Sequence, residues 1–566
     1  MIDSKTITRF GWGLLIVIIC LTPLLIRNIK SVDKNITFKS YTEGIEGKTG
    51  TLKETYENRQ ITLAYDSIST RTSQIFIKPA RVTFEDQSGK WFIEGSSAIR
   101  RDDQWTIYGP LYVSFKDSNN ILIGEGLANE DTPCLLWSRG SWQGLVPIKW
   151  SSRPGLFGGL WTLPKGWIRR SNGAFESQAS PTTFLAKDDG QSNLKSLQAD
   201  VITTTEDLNE IFLMRIRSTL LLGNLETSKA TVTDNEINFP TTVSFERKKE
   251  LMLKSDNAHY IDRELSSILS LNNVNGSRFE NNITETVRSD HASIFMDISR
   301  FNGNVEWNRI DGSSTAKITS PDIYIRERQG SSYPSDVQPN EIFSPKSTDV
   351  TLNDIKFSSE TLRFNKRDFI WSLGPTVRGE SKDGIYTGGT ASGNRDTWKM
   401  QGPIKYELLN NQGVLSGAFL TGTKLQWTLS GEPVLWRRGM DLITTANIIK
   451  NGSLIKFPGQ LRGVFREQKG DITVDASSGL FENNVMQLYG PIVLNGLGWS
   501  CNARKASITF DTFRKISIIR LEGEVALRGG LGEGTGDRLE IVPKPGDKTY
   551  TIHWEGRVRG TNKIYD

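Results

Sequence analysis

The chain has 566 residues, of which 37% are hydrophobic, and its 69 basic and 64 acidic residues leave a net charge of +5. This length exceeds one ordinary core, so the chain forms several domains or an elongated repeat array. The charge is too balanced for a nucleic-acid-binding protein. Three cysteines without a Cys-x-x-Cys pair exclude a disulfide framework and a cysteine-based metal site.

An apolar run at residues 10–26 lies between Arg9 and Arg27 and has the minimum length for spanning a bilayer. A cleaved signal peptide is the competing interpretation, and it requires small residues just after the apolar core. Residues 24–30 offer no such site. We therefore predict that residues 1–34 are an uncleaved, single-pass anchor. Basic residues flank the run on both sides, so charge does not fix its orientation.

Residues 35–170 are predicted to form a first β module. Apolar residues alternate with polar ones in the runs that begin at Trp91 and Trp105. Such alternation is typical of strands with one buried face. Gly95 and Gly109 lie 14 residues apart, and the polar residues 101–103 predict a tight turn between two strands.

Residues 171–328 are predicted to form a second β module. Within it, residues 206–222 fit a helix, but the part from Arg215 onwards fits a strand equally well, and both alternatives stay open. Alternating runs return near Phe239 and Trp307. Prolines among serines at residues 329–347 predict a linker.

Residues 348–566 carry the most regular pattern. Alternating strands recur with central glycines at positions 402, 431, 459, 490, 523 and 556, in steps of 29, 28, 31, 33 and 33 residues. A nearly fixed step predicts a repeat architecture rather than a compact enzyme. Proline follows glycine at Gly402 and Gly490. Such a pair allows a mid-strand bend that folds a sheet into a V-shaped section. Edge protection or local turns are the alternative explanation.

The stacked strands would present a continuous apolar wall. Two walls that close tightly make an ordinary sandwich core, whereas walls that stay apart make a groove for acyl chains. The candidate groove residues are Trp398, Met400, Ile404, Tyr406, Leu408, Trp427, Leu429, Leu435, Met486, Leu488 and Ile492. Simple mutual packing is the ordinary role of such residues. The combination of an anchor, a β array and no catalytic set favours the groove.

No residue set typical of catalysis is evident. The three histidines, His259, His291 and His553, lack metal-ligand spacing. The glycine-rich residues 529–536 lack the Gly-Lys-Ser/Thr ending of a phosphate loop and predict a turn between strands. We therefore predict a non-enzyme without cofactor or metal. A polysaccharide-processing β-helix would favour shorter rungs and a carboxylate cluster, and neither is present.

Two pairs of segments share a polar strand, a turn and a second, apolar strand. They are residues 255–260 (SDNAHY) with 269–274 (LSLNNV), and residues 503–510 (ARKASITF) with 519–525 (IRLEGEV). Together with the N-terminal anchor, they resemble the LptC/LptA (OstA-like) family of lipopolysaccharide transport proteins. Residues 536–541 (GDRLEI) resemble the strand that follows in that family. The chain is far longer than one module of the family, so it resembles an enlarged LptC-like protein.

The resemblance implies an all-β fold with an N-terminal transmembrane helix, repeated OstA-like antiparallel β-jellyroll (β-taco) modules and the last module at 348–566. It implies a single-pass protein of the bacterial inner membrane with most of the chain in the periplasm. It also implies that acyl chains of lipopolysaccharide bind between the sheets and pass toward the outer membrane. The implied partners are an inner-membrane ABC exporter and an LptA-like protein that pairs by β-strand edges.

Two other functions stay open. An AsmA-like phospholipid groove protein also couples an N-terminal anchor to a β groove. An envelope β-solenoid scaffold would use the same repeats with no lipid cargo.

Overall fold

We describe the fold from a computed structural model of the chain. It describes residues 46–561 except 57–58, 72, 87–88, 117–118, 153–158, 178–180, 187–193, 206–209, 234–235, 248–250, 263–266, 410–411, 424, 468–469, 531 and 545–548. The predicted anchor at residues 1–34 therefore lies outside the described residues. Every regular element among the described residues is a β-strand. No helix in this part of the chain has the length and apolarity needed to cross a membrane.

The strands follow one another closely along the chain. The first are β1 (Glu46–Tyr56), β2 (Arg59–Arg71), β3 (Gln74–Lys78), β4 (Ala80–Asp86), β5 (Gly89–Gly95), β6 (Ser97–Arg101), β7 (Gln104–Tyr108), β8 (Leu111–Lys116), β9 (Leu122–Ala128), β10 (Pro133–Ser138), β11 (Ser141–Gly144), β12 (Ile148–Ser152), β13 (Gly159–Leu163), β14 (Ile168–Arg169), β15 (Phe175–Ser177) and β16 (Thr182–Ala186). The next are β17 (Leu194–Thr204), β18 (Ile211–Leu220), β19 (Gly223–Val232), β20 (Glu236–Phe239), β21 (Val243–Glu246), β22 (Met252–Ser255), β23 (Asn257–Ile261), β24 (Ile268–Glu280), β25 (Ile283–Ile294), β26 (Ile298–Asp311), β27 (Ser314–Arg326), β28 (Glu341–Ser344), β29 (Thr348–Leu352), β30 (Ile355–Ser359), β31 (Thr361–Asn365), β32 (Ile370–Gly374) and β33 (Val377–Ser381). The last are β34 (Gly384–Gly388), β35 (Thr390–Gly393), β36 (Trp398–Leu408), β37 (Gly413–Gly422), β38 (Gln426–Arg438), β39 (Asp441–Asn451), β40 (Leu454–Phe457), β41 (Leu461–Glu467), β42 (Gly470–Ala476), β43 (Ser478–Glu482), β44 (Val485–Gly496), β45 (Trp499–Phe510), β46 (Ile516–Gly529), β47 (Glu533–Pro543), β48 (Tyr550–Glu555) and β49 (Arg559–Thr561).

The chain divides into two compact units. Unit 1 comprises Met1–Pro147 and Ile168–Ser171, and unit 2 comprises Ile148–Trp167 and Asn172–Asp566. In unit 1, strands β6 and β7 form the predicted hairpin, with Arg101 paired to Gln104 across the turn. Trp105 is 1% exposed in the core of this unit. Its indole N–H points at the carboxylate of Glu54, which also forms an ion pair with Arg100.

The strands of unit 2 belong to one continuous antiparallel sheet, and its longest strands divide it into two parts that we call sheets A and B. The sets β17–β19, β24–β27, β36–β39 and β44–β47 run through both sheets. Shorter strands belong to one sheet only. Sheet A holds β20, β23, β28, β31, β32, β35, β40, β43 and β48, and sheet B holds β21, β22, β29, β30, β33, β34, β41, β42 and β49. For example, the first half of β36 pairs with β35 of sheet A, and its second half pairs with β34 of sheet B.

In β25–β27, β36–β39 and β44–β47 the long strands pass from one sheet to the other at β-bulges, and we call the line of crossings the crease. The ladders of β36 with β37, β44 with β45 and β46 with β47 each shift register there. Gly402, Gly490 and Gly523 lie at these shifts with φ of 109°, 92° and 78°. Glycine adopts such angles without steric penalty. By contrast, Gly459 lies between two short strands and Gly556 follows β48.

Two segments that the sequence left uncertain or predicted as irregular contain strands of unit 2. The ambiguous residues 206–222 contain strand β18, which pairs with β17 and β19. Residues 329–347, the predicted linker, contain strand β28, which pairs with β27 and β31. Val337 in the same segment is 2% exposed. Part of the predicted linker is therefore paired into sheet A.

Candidate functional site

The space between sheets A and B holds most of the predicted groove residues. Ten of the eleven are at most 8% exposed: Trp398, Met400, Ile404, Tyr406, Leu408, Trp427, Leu429, Met486, Leu488 and Ile492. All ten belong to one cluster of buried apolar side chains that extends from Trp161 to Ile541. We call this cluster the interior. Strand alternation thus places these ten side chains on the inward face.

Leu435 lies on the opposite face from the one the alternation predicts. The ladder between β38 and β39 shifts register between Ser430 and Val434. This bulge inverts the alternation in the second half of β38. Val434 and Trp436 are therefore buried, while Leu435 is half-buried on the outward face.

Aromatic rings join the two sheets through the interior. Ring pairs with one member on each sheet and centroids 4.6 to 5.5 Å apart are Trp307–Phe364, Phe357–Trp371, Tyr386–Trp398, Tyr406–Trp427, Trp436–Phe481 and Phe465–Phe510. Rings at this separation are in van der Waals contact. The sheets therefore form a packed core at these points.

Several polar atoms in the interior have no hydrogen-bond partner among the described residues. They include the hydroxyls of Tyr386 and Tyr406 and the indole nitrogens of Trp398 and Trp427. Burial raises the pKa of Tyr406 to about 12 and that of Tyr386 further still, so both hydroxyls keep their protons. The four groups are neighbours in one aromatic stack. This stack offers hydrogen-bond donors inside an otherwise apolar space.

The edges of the sheets opposite the crease are joined by polar contacts, and we call this line the seam. Its most buried part is Glu285, on sheet B, whose side chain is fully buried. Lys366, which follows β31 of sheet A, approaches Glu285 to 3.1 Å and also pairs with Glu327. Trp307 donates its indole N–H to Glu285 over 2.9 Å, and Arg278 forms an ion pair with it.

The charges around Glu285 decide its protonation. Burial would raise the pKa of this carboxyl, but Lys366, Arg278 and the Trp307 hydrogen bond together hold the pKa below its ordinary value. Glu285 is therefore ionised at neutral pH. A buried carboxylate is tolerated only with such partners, so separating the sheets here would break an ion network.

Further contacts join the sheets along the seam. Lys450 of sheet A lies 3.0 Å from Asp383 of sheet B. Arg247, just after β21 of sheet B, donates to the Phe295 carbonyl at the end of sheet A over 2.7 Å. Further along, the Glu467 carboxylate accepts the backbone N–H of Ile516 over 2.8 Å. The seam is therefore closed at several steps of the array.

Surface clefts on unit 2 have a different character. One cleft, of about 600 Å³, is lined by residues that include Thr397, Thr421 and Thr428. A second cleft, of about 730 Å³, is lined by residues that include Arg217 and Glu246. Most of the residues that line the two clefts are polar, although each cleft also exposes apolar surface. Neither is an apolar groove of the kind that the sequence predicts.

Sequence reasoning missed the seam, because its partners are distant in the chain and carry no motif. The described residues gather no group of three or more histidine, cysteine or acidic side chains suited to a metal ion. In comparisons with known proteins, no family model matches the chain and no curated protein matches it in sequence.

Proposed function

We propose that this protein is a membrane-anchored lipid carrier of the bacterial envelope, in which sheets A and B enclose acyl chains. One observation supports this function above others. A single apolar interior runs through unit 2, from Trp161 to Ile541, between two sheets that share bent strands. Once the sheets separate, a continuous apolar interior of this kind is suited to hydrocarbon chains.

Loading requires the sheets to separate. Because aromatic rings fill the interior and the seam is closed, an acyl chain enters only where the seam opens and the crease acts as the hinge. The chain then replaces ring-to-ring contacts with ring-to-hydrocarbon contacts, which have a similar hydrophobic free energy per unit area. The structure described above corresponds in this proposal to the closed, unloaded form.

The cargo and partners follow from the resemblance at residues 255–274 and 503–541. Lipopolysaccharide is the proposed cargo, received from an ABC exporter of the inner membrane and passed to an LptA-like periplasmic protein by β-strand edge pairing. The bulk of the chain is then periplasmic. Phospholipid is the alternative cargo, as in AsmA-like groove proteins.

In-cell photo-crosslinking tests the proposal. A photoreactive amino acid replaces Tyr406, which is fully buried in the interior, and in a matched control it replaces Lys405, which is exposed on the same strand. We expect lipid adducts at position 406 and none at 405. Lipopolysaccharide adducts support the first cargo, and phospholipid adducts support the second.

One observation favours a second function, an envelope scaffold without cargo. The ring pairs between the sheets leave the interior filled, as in a sandwich core. If no lipid is attached at Tyr406 or at any other inward position, the scaffold is the better explanation.

A further inference from the structure

Arg438 differs from the other charged side chains of the seam. It ends strand β38 on sheet B and is 6% exposed. Its guanidinium carbon lies 4.1 Å from the ring centroid of Phe510 and 5.2 Å from that of Phe481, both on sheet A. The carboxylate of Asp441 is 3.9 Å away, beyond hydrogen-bond distance. One terminal nitrogen, Nη2, has no hydrogen-bond partner among the described residues.

The other buried cations of the seam have close partners. Lys366 contacts two carboxylates, and Lys450 contacts Asp383 and the Gly452 carbonyl. Arg438 instead has aromatic faces and one distant carboxylate. Burial lowers its pKa from the ordinary arginine value, yet arginine remains charged in proteins. A buried, charged donor without an acceptor is costly, and an incoming anion would remove that cost.

The unpaired polar atoms of the interior are also hydrogen-bond donors that lack an acceptor. The indole nitrogens of Trp398 and Trp499 are buried without a hydrogen-bond partner among the described residues, and an indole N–H only donates. The hydroxyl of Tyr386 also has no hydrogen-bond partner among the described residues. A ligand complementary to this part of the interior therefore carries hydrogen-bond acceptors beside its hydrocarbon.

We propose that Arg438 binds the anionic headgroup, a carboxylate or a phosphate, of an acyl lipid whose chain lies between sheets A and B. This inference rests on the proposed lipid-carrier function. The planar guanidinium donates two parallel hydrogen bonds to either oxyanion. The rings of Phe481 and Phe510 exclude water from the ion pair, which strengthens it. The position of Arg438 at the seam places the headgroup at the edge and the hydrocarbon inside.

Three photoreactive probes with one common acyl chain test this site: a fatty acid, a lysophosphatidic acid and a neutral monoacylglycerol. Each carries a diazirine and an alkyne and is irradiated with membranes that contain the full chain. The variants are Arg438→Met, which keeps side-chain length without charge, and Arg438→Lys, which keeps charge without the planar group. Arg437→Met is the matched control, because Arg437 is the exposed neighbour on the opposite face of the strand. Protease resistance of each variant verifies folding.

We expect an anionic probe to label the wild type at least about tenfold more than the neutral probe, and Arg438→Met to lower that labelling by about tenfold. Arg438→Lys should retain part of it, and Arg437→Met all of it. Labelling by only one anionic probe supports the site and identifies its headgroup. Equal labelling by all three probes, or anionic labelling unchanged in folded Arg438→Met, overturns the site while the carrier function stands. Absence of labelling by every probe overturns the carrier function and this site with it.

Discussion

Glu285 is the residue around which the buried charges of the seam are arranged. Its carboxylate receives Lys366 from sheet A and Arg278 from sheet B, and Arg309 lies 3.8 Å away. The three cations share this buried anion, although Lys366 also pairs with Glu327 and Arg309 with Asp311. Removing the carboxylate and removing one cation therefore have unequal consequences.

The first prediction concerns this asymmetry. Glu285→Gln should destabilise unit 2 by about 3–5 kcal/mol, because it leaves the buried Lys366 and Arg309 and the half-buried Arg278 without their common counter-charge. Lys366→Met should destabilise it less, because Glu285 keeps two arginines. Thermal unfolding of the purified chain, followed by circular dichroism, measures both. The exposed pair Arg462–Asp475 provides the control, since Asp475→Asn should cost less than about 1 kcal/mol. Equal costs for all three variants would contradict this account.

The second prediction is the pH dependence of the same group. Because the pKa of Glu285 is lower in the folded state than in the unfolded state, its ionised form stabilises the fold above the ordinary carboxyl pKa. That contribution disappears as the pH falls through the lowered value. The difference in melting temperature between wild type and Glu285→Gln should therefore be full at neutral pH and shrink below about pH 4. A difference that grows on acidification would show that the ionised carboxylate destabilises the fold.

The third prediction tests whether the interior is a core in the unloaded protein. Leu429 is completely buried on sheet A, so Leu429→Asp should cost about 4 kcal/mol or more, because the carboxylate finds no partner there. The circular dichroism of the purified variant should show lost β structure. Thr428→Asp, on the other face of the same strand, should fold normally. Folded Leu429→Asp would instead indicate an interior open to water.

At the scale of the strands, the sequence pattern predicts the elements well and their partners poorly. Alternation at Trp398–Leu408 depends on neighbouring residues alone, so it could be read from the chain. The side chain of Trp436, and not that of Leu435, faces the interior because of a bulge in the strand. The alternation of residue types does not reveal the length of that bulge. Strand β18 is set by its pairing with β17 and β19. The contact of Lys366 with Glu285 joins positions 81 residues apart, and no local pattern contains it.

The fourth prediction concerns the crease. Gly402 has a φ of 109°, and a Cβ there would lie 2.9 Å from the backbone nitrogen of Gly389. Gly402→Ala should therefore destabilise unit 2 by about 1–3 kcal/mol. Gly459→Ala is the matched control, because a Cβ at that position meets no atom within 4 Å. Thermal unfolding compares the two variants. A neutral Gly402→Ala would mean that the bend does not depend on glycine.

At the scale of the molecule, the carrier proposal requires sheets A and B to separate. The fifth prediction therefore concerns a covalent cross-link between the two sheets. Cysteines at Asp383 and Lys450, which pair across the seam, are joined by a short bismaleimide in the chain that carries the photoreactive residue at Tyr406. Lipid adducts at position 406 should be lost after cross-linking. When a cleavable linker is used and then cut, the adducts should return.

A same-sheet pair controls for the chemistry of linking. Cysteines at Arg462 and Asp475 lie on adjacent strands of sheet B, so joining them restrains no movement between the sheets. The native Cys134 and Cys501 are buried. Adducts that persist after the cross-seam link would show that lipids enter without separation of the sheets, for instance from an end of the array.

The exchange of short strands between the two sheets has a genetic consequence. Strands β20, β21, β22 and β23 belong to sheets A, B, B and A, respectively. Strands β40 to β43 follow the same order. Each strand bonds only to near neighbours, so an in-frame duplication of such a quartet would lengthen the protein without re-routing the rest. Each strand added to a sheet lengthens it by about 4.8 Å. Selection could therefore adjust the length of the protein in fixed steps.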